Sequence, residues 1–138
     1  DPRGKEALIF SDCLITKREL EHHERLSGLG KEIGKIIKKF KPSILSIEKL
    51  FFNENQKTAM KVSEARGAIL FVASEAGLKV REYTPLEIKV AVTGYGRADK
   101  KQMTTMLHKL INIRKKIKQD DEYDAIAAAL TASANFRR

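Results

Sequence analysis

The sequence predicts an α/β fold, a mixed sheet of short strands covered by helices. Three observations lead there: short runs of strand-forming residues alternate with helix-periodic segments, the helices carry recognisable caps, and the order strand, helix, strand, helix, strand and then helices suits crossovers over one sheet. With 42% apolar residues in 138, the chain holds enough hydrophobic material for one core, so a single domain over residues 1–138 is expected.

Residues 1–5 are polar, with Pro2 and Gly4, and read as irregular. Residues 7–16 are rich in strand formers (Leu8, Ile9, Phe10, Leu14, Ile15) around Ser11 and Asp12, and are expected to form one long or bulged strand. From Leu26 the apolar residues Leu29, Ile33, Ile36, Ile37 and Phe40 trace one helical face, with Lys31, Lys35, Lys38 and Lys39 on a solvated one. Pro42 ends that helix. Ile44, Leu45 and Ile47 then suit a strand covered on both sides, and Glu48 closes it, where open α/β sheets place their sites.

Residues 56–76 read as a helix stopped by Gly77. Its small residues Ala59, Ser63 and Gly67 make a stripe that could approach the sheet or a second subunit closely. A strand over residues 79–83 follows, then a helix start in which Thr84 caps, Pro85 opens and Glu87 reaches back. Gly94-Tyr95-Gly96-Arg97 is expected to be a basic turn rather than a nucleotide loop, since a lone G-x-G lacks the strand before it. Asp99 caps a helix with Met103, Met106, Leu107 and Leu110 on its apolar face. Beyond a basic linker at residues 114–118, the last helix starts at Asp120 or Asp121 and runs through its alanines.

Lys and Arg number 27 against 18 Asp and Glu, a formal charge of +9 that favours a polyanionic partner. No segment approaches the roughly eighteen apolar residues of a membrane span and no export signal opens the chain, so no membrane association and a cytoplasmic location are expected. The lone Cys13 is expected to be a buried, inert thiol. His22 and His23 are expected to be exposed, and His108 stands alone on its helix, so zinc ligation is not signalled.

The acids carry the chemical signal. Asp121 and Asp124 are three apart at a helix start and project from one face. Acids in a first turn also interact favourably with the helix dipole, an account that serves Asp120 or Asp121 better than Asp124. If Glu48 faces Asp121 and Asp124, three hard oxygen ligands converge, a donor set suited to Mg²⁺.

Four segments, SIEKLFFNEN (46–55), SEARG (63–67), YTPLEIK (83–89) and VTGYGRADK (92–100), resemble bacterial RuvC Holliday-junction resolvases in order and spacing, and DDEYDAIAAAL (120–130) is similar to that family's acidic helix start. The resemblance implies a ribonuclease-H-like fold, a homodimer, four-way junction DNA as substrate, and a tetrad of acids binding two Mg²⁺, with Mn²⁺ able to substitute. By that correspondence the tetrad falls on Asp1, Glu48, Asp121 and Asp124. DNA contacts fall on Phe51, the aromatic that stacks on junction bases, on its neighbour Phe52, and on Lys89, Arg97, Lys100 and Lys101. The branch-migration helicase complex is a further partner that the family suggests.

The amino end departs from the family pattern: Asp1-Pro2 matches its first catalytic strand, Arg3 stands where it has glycine, and the strand after that has no counterpart. Residues before Asp1 and between Pro2 and Gly4 are expected to be omitted, because true deletion leaves an unpaired edge and half a core. A nuclease acting on structured RNA and a non-catalytic junction-binding module are the two alternative functions.

Overall fold

The computed structural model describes residues 5–49 and 56–136. The chain divides into two compact units, one built from Asp1–Cys13, Ser46–Lys49 and Arg81–Arg138, the other from Leu14–Leu45 and Leu50–Val80.

The second unit is a helix pair, α1 (His22–Phe40) and α2 (Gln56–Glu75). α1 begins at His22, earlier than the apolar period alone indicates, because the Glu24 carboxylate reaches back to the Glu21 N–H at 3.4 Å and supports one more turn. It ends where Lys41 turns left-handed at φ 49°, its N–H bonded to the Ile37 carbonyl at 2.8 Å, and Pro42 prevents continuation. Lys31, Lys35, Lys38 and Lys39 are exposed. Close packing comes from α1: a Cβ on Gly30 would lie 3.6 Å from a Val72 methyl, and one on Gly34 4.0 Å from the other. On α2, Ser63 and Gly67 of the small-residue stripe are exposed and the space beside Gly67 is open. His22 is half-buried rather than exposed, its ring 3.2 Å from Glu64.

The strands β2 (Ile44–Glu48) and β3 (Lys79–Tyr83) pair with each other. The Lys79 N–H donates to Ser43 at 3.0 Å, and the Lys49 N–H to Tyr83 at 2.8 Å. β2 is half-buried along its length, not covered on both sides.

In the first unit, β1 (Glu6–Ala7) pairs in parallel with β4 (Ile111–Asn112), Glu6 opposite Ile111. The long strand expected over residues 7–16 is therefore corrected to two residues. Strand propensity is a preference for a paired, half-buried surface. Past the Leu8 N–H bond to the Asn112 carbonyl no ladder continues among the described residues. Ile9 and Ile15 remain 82% and 83% exposed.

Helices α3 (Pro85–Thr93), α4 (Lys100–Leu110) and α5 (Asp120–Phe136) complete this unit. α5 supplies the largest share of the buried residues, through Ile126, Ala127, Ala128, Leu130, Thr131 and Ala132. Its small side chains let other backbone come close: the Ser46 hydroxyl of β2 donates to the Ala128 carbonyl, and the Ser133 hydroxyl donates to Glu6 of β1 at 2.9 Å. Among the described residues, no helix is long and apolar enough to cross a membrane.

Candidate active site

Each functional side chain in the first unit is delivered by a local signal. Glu48 stands at the end of β2. Thr84 caps α3 by accepting from the Glu87 N–H at 3.1 Å, while Glu87 accepts from the Thr84 N–H at 3.3 Å, and the helix so started carries Lys89 one turn on. Gly94, at φ 76°, ends α3 in a conformation that favours glycine. Asp99 then exchanges bonds with Gln102 (2.8 and 2.9 Å), so Lys100 and Lys101 open α4.

These elements enclose a cavity of about 450 Å³ whose lining includes Glu48, Lys89, Lys100, Asp120, Tyr123 and Asp124, backed by the apolar Ile88, Met103 and Leu107. Lys100 bonds Asp120 at 3.2 Å across the starts of α4 and α5. Loss of water around it, then the nearby Asp124 charge, pushes the Glu48 carboxyl above its ordinary pKa, with Lys89 opposing. Asp124 is likewise raised, by desolvation first and by Asp121 and Asp120, with Lys100 opposing. Lys100 is itself raised, chiefly by its hydrogen bond to Asp120. Carboxylates that repel in this way favour a proton or a shared cation.

The structure thus brings Glu48, Asp124, Lys89 and Lys100 to one cavity. Asp121 is exposed and outside its lining, close enough to raise Asp124. Asp120 takes the wall position instead, since residues four apart on a helix stack along one line. Asp1, Phe51 and Phe52 lie outside the described residues. Arg97 and Lys101 are exposed beside the cavity-lining Ala98 and Lys100.

Among the described residues, one trio of candidate ligands has its atoms within 4.8 Å of one another: Glu21, His23 and Glu24, all exposed and all in the other unit. The oxygens of Glu48, Asp121 and Asp124 are more widely spread. The cavity's hard oxygens are partly desolvated and mutually repelling, whereas His23 already pairs with Glu21 at 3.4 Å in open solvent.

One group escaped the sequence reading, Glu122, and two others stand in different surroundings from those expected. His108 is not alone, for its Nε2 lies 2.8 Å from the Tyr123 hydroxyl with the rings edge to face. Glu122 is buried and bonded to Ser11 and Lys115, which hold its carboxyl below the usual range. Cys13 is half-buried rather than buried; desolvation and then the charges of Glu122, Asp121 and Asp12 raise its thiol pKa and keep it protonated. An acid four residues before Ile126 and eight before Leu130, in line with that apolar stripe, was the available signal for Glu122.

The sequence pattern described as "Crossover junction endodeoxyribonuclease RuvC" matches residues 3–132. Among curated relatives, a protein of that description from Halothermothrix orenii is 44% identical over 134 residues, covering 97% of this chain and 81% of its own. Another, from Desulfitobacterium hafniense, is 45% identical over 118 residues, 86% of this chain and 72% of its own. Among solved structures, Thermus thermophilus RuvC in complex with Holliday junction substrate superposes with a TM-score of 0.89 at 28% identity, covering 95% of this chain and 79% of that one.

Proposed function

This chain belongs to the RuvC family of crossover junction endodeoxyribonucleases, with its ribonuclease-H-like fold, and we propose on that premise that the cavity between Glu48 and Asp124 is where it hydrolyses the DNA backbone. The chain is a Holliday-junction resolvase, an endodeoxyribonuclease. The observation that carries the site assignment is the meeting of Glu48 and Asp124, both raised in pKa, with Lys89 and Lys100 in one cavity.

Glu48 and Asp124, with Asp121 and by the family correspondence Asp1, would hold a divalent cation, which would supply Lewis acidity toward the scissile phosphodiester and a more acidic water. Two Mg²⁺ per site, replaceable by Mn²⁺, fit the all-oxygen donors. Lys89 and Lys100 neutralise the phosphate and seat the backbone against the acids; Arg97 and Lys101 extend the DNA contact beside Lys100, and Phe51 and Phe52 are assigned to it by the family correspondence alone. The Glu48 carboxyl, half-buried and held partly in check by Lys89, orients the attacking water. An arriving phosphate competes with Asp120 for the Lys100 ammonium.

The functional unit is a homodimer. Met60 and Phe71 of α2 are 65% and 67% exposed, and with Ser63 and Gly67 between them they form one apolar helix face. Such an exposed face suits burial against a second copy of the chain, and a dimer carries two sites.

The test is cleavage of a synthetic four-way junction beside a linear duplex and a matched RNA junction, with and without Mg²⁺. Paired nicks in the DNA junction alone, lost in Asp124→Asn while junction binding persists, are expected. Equal cutting of the duplex, or normal cutting by that variant, overturns the site assignment.

A further inference from the structure

Glu122 is a charged residue where a core residue belongs. It opens the line of α5 that continues through Ile126 and Leu130, all buried, and is itself 7% exposed. Its Oε2 accepts from the Ser11 hydroxyl at 2.8 Å and from the Lys115 ammonium at 3.0 Å. The same ammonium donates to the Ser11 carbonyl at 2.7 Å, which closes the triangle. Of the cations in the basic linker, Lys115 is thus committed inward, to a buried partner.

We infer that this triangle of Ser11, Lys115 and Glu122 is a positioning device that fixes the rotation of the first turn of α5, and with it the aim of Asp121 and Asp124 on either side. The inference rests on the nuclease assignment of those two acids. Two physical arguments support it. First, the ends of helical side chains lie about 5–6 Å from the axis, so a rotation of about 10° moves a carboxylate oxygen by about 1 Å. A misplacement of about 1 Å can cost about a hundredfold in rate. Second, the three partners come from three separate stretches: the segment after β1, the linker after β4, and α5. A bond from each restrains rotation where a single intrahelical bond would not. The triangle also withdraws Glu122 from the cation site: with its accepting oxygen occupied by an ammonium and a hydroxyl, a carboxylate next in sequence to Asp121 does not compete for the ion.

The test uses the full chain and four variants, Lys115→Met, Glu122→Ala, Glu122→Gln and Asp124→Asn, with Lys116→Met as the control for loss of one linker charge. Three quantities are measured: the single-turnover cleavage rate, junction affinity in Ca²⁺, and Mn²⁺ affinity from paramagnetic resonance without DNA. Lys115→Met and Glu122→Ala are expected to lower the rate by about tenfold or more and to weaken Mn²⁺ binding several-fold, the scale seen when the partners of metal ligands are lost. Junction affinity should stay within about twofold, because no phosphate contact is removed. Glu122→Gln keeps an acceptor for Ser11 and Lys115 and should recover most of the rate, and Lys116→Met should match the parent. If Lys115→Met behaves like Lys116→Met, or if rate and junction affinity fall together, the device is refuted. If Asp124→Asn cleaves normally, the site assignment itself fails, whatever the other variants do.

Discussion

Lys100 of α4 and Asp120 of α5 join the first residues of two helices through a 3.2 Å bond at the mouth of the cavity. Both side chains are largely exposed (79% and 73%), so the pair contributes little to stability, about 0–1 kcal/mol. Its consequence is for binding, because Asp120 occupies a cation that DNA needs. Asp120→Asn is expected to tighten junction binding at low salt. Lys100→Met is expected to weaken it and to reduce the slope of log K against log salt by about 1. Fluorescence anisotropy across a salt series measures both; unchanged affinity in both variants removes Lys100 from the DNA surface.

Glu48 and Asp124 predict a trade of stability for chemistry. Their folded pKa values are raised, so the unfolded chain gives up these protons first as pH rises, and the folded state loses stability through that window. At pH 7 the charged forms are therefore unfavourable in the fold. Glu48→Gln and Asp124→Asn should each raise Tm in metal-free buffer while abolishing cleavage, and the gain should shrink in Mg²⁺ and vanish below about pH 4, where the unfolded carboxyl is protonated too. Calorimetric melting in EDTA and in Mg²⁺ checks this; a lower Tm for both variants contradicts it.

Glu122 has the opposite sign. Its pKa is lowered, first by the Ser11 bond and then by Lys115, so its contribution is complete above the unfolded value of about 4.3 and is lost as pH falls through the folded one. Glu122→Gln should flatten the acid limb of the Tm profile while leaving its neutral-to-alkaline shape unchanged. An acid limb identical to the parent's would show that this carboxylate does not govern acid unfolding.

The helix pair offers a stability test remote from the site. A methyl on Gly30 or Gly34 meets Val72 at 3.6 or 4.0 Å, ordinary contact distances. Alanine at either position should stabilise the chain by about 0.5–1 kcal/mol through helix propensity. Leucine at Gly30 should destabilise it by about 1–3 kcal/mol, because the groove lacks the volume. Urea unfolding distinguishes these outcomes.

What the sequence disclosed follows the range of the forces involved. The caps at Thr84 and Asp99, the stop at Gly94 and the start of α5 were legible because each is decided within four residues. Residues 8–16 misled because strand character is completed by a ladder partner, which local composition does not report. A strand end and a helix start pointed to Glu48 and Asp124, the resemblance agreed, and the cavity does contain both. The sequence could not show that Asp120 lines the wall while Asp121 stands outside, since that depends on how α5 is rotated against its neighbours. Glu122 was not singled out, because its partners lie 111 and 7 residues away. The His108–Tyr123 pair was hidden for the same reason.

That last pair gives the molecule an optical reporter of its own. The chain has no tryptophan and three tyrosines; Tyr83 is 9% exposed in the core and Tyr95 is 54% exposed on a turn. Only Tyr123 borders the cavity, its phenol against an imidazole. Changes in ultraviolet emission on titrating a metal ion into the cavity are therefore expected to come chiefly from this ring, so ion occupancy can be followed in real time without attaching a dye.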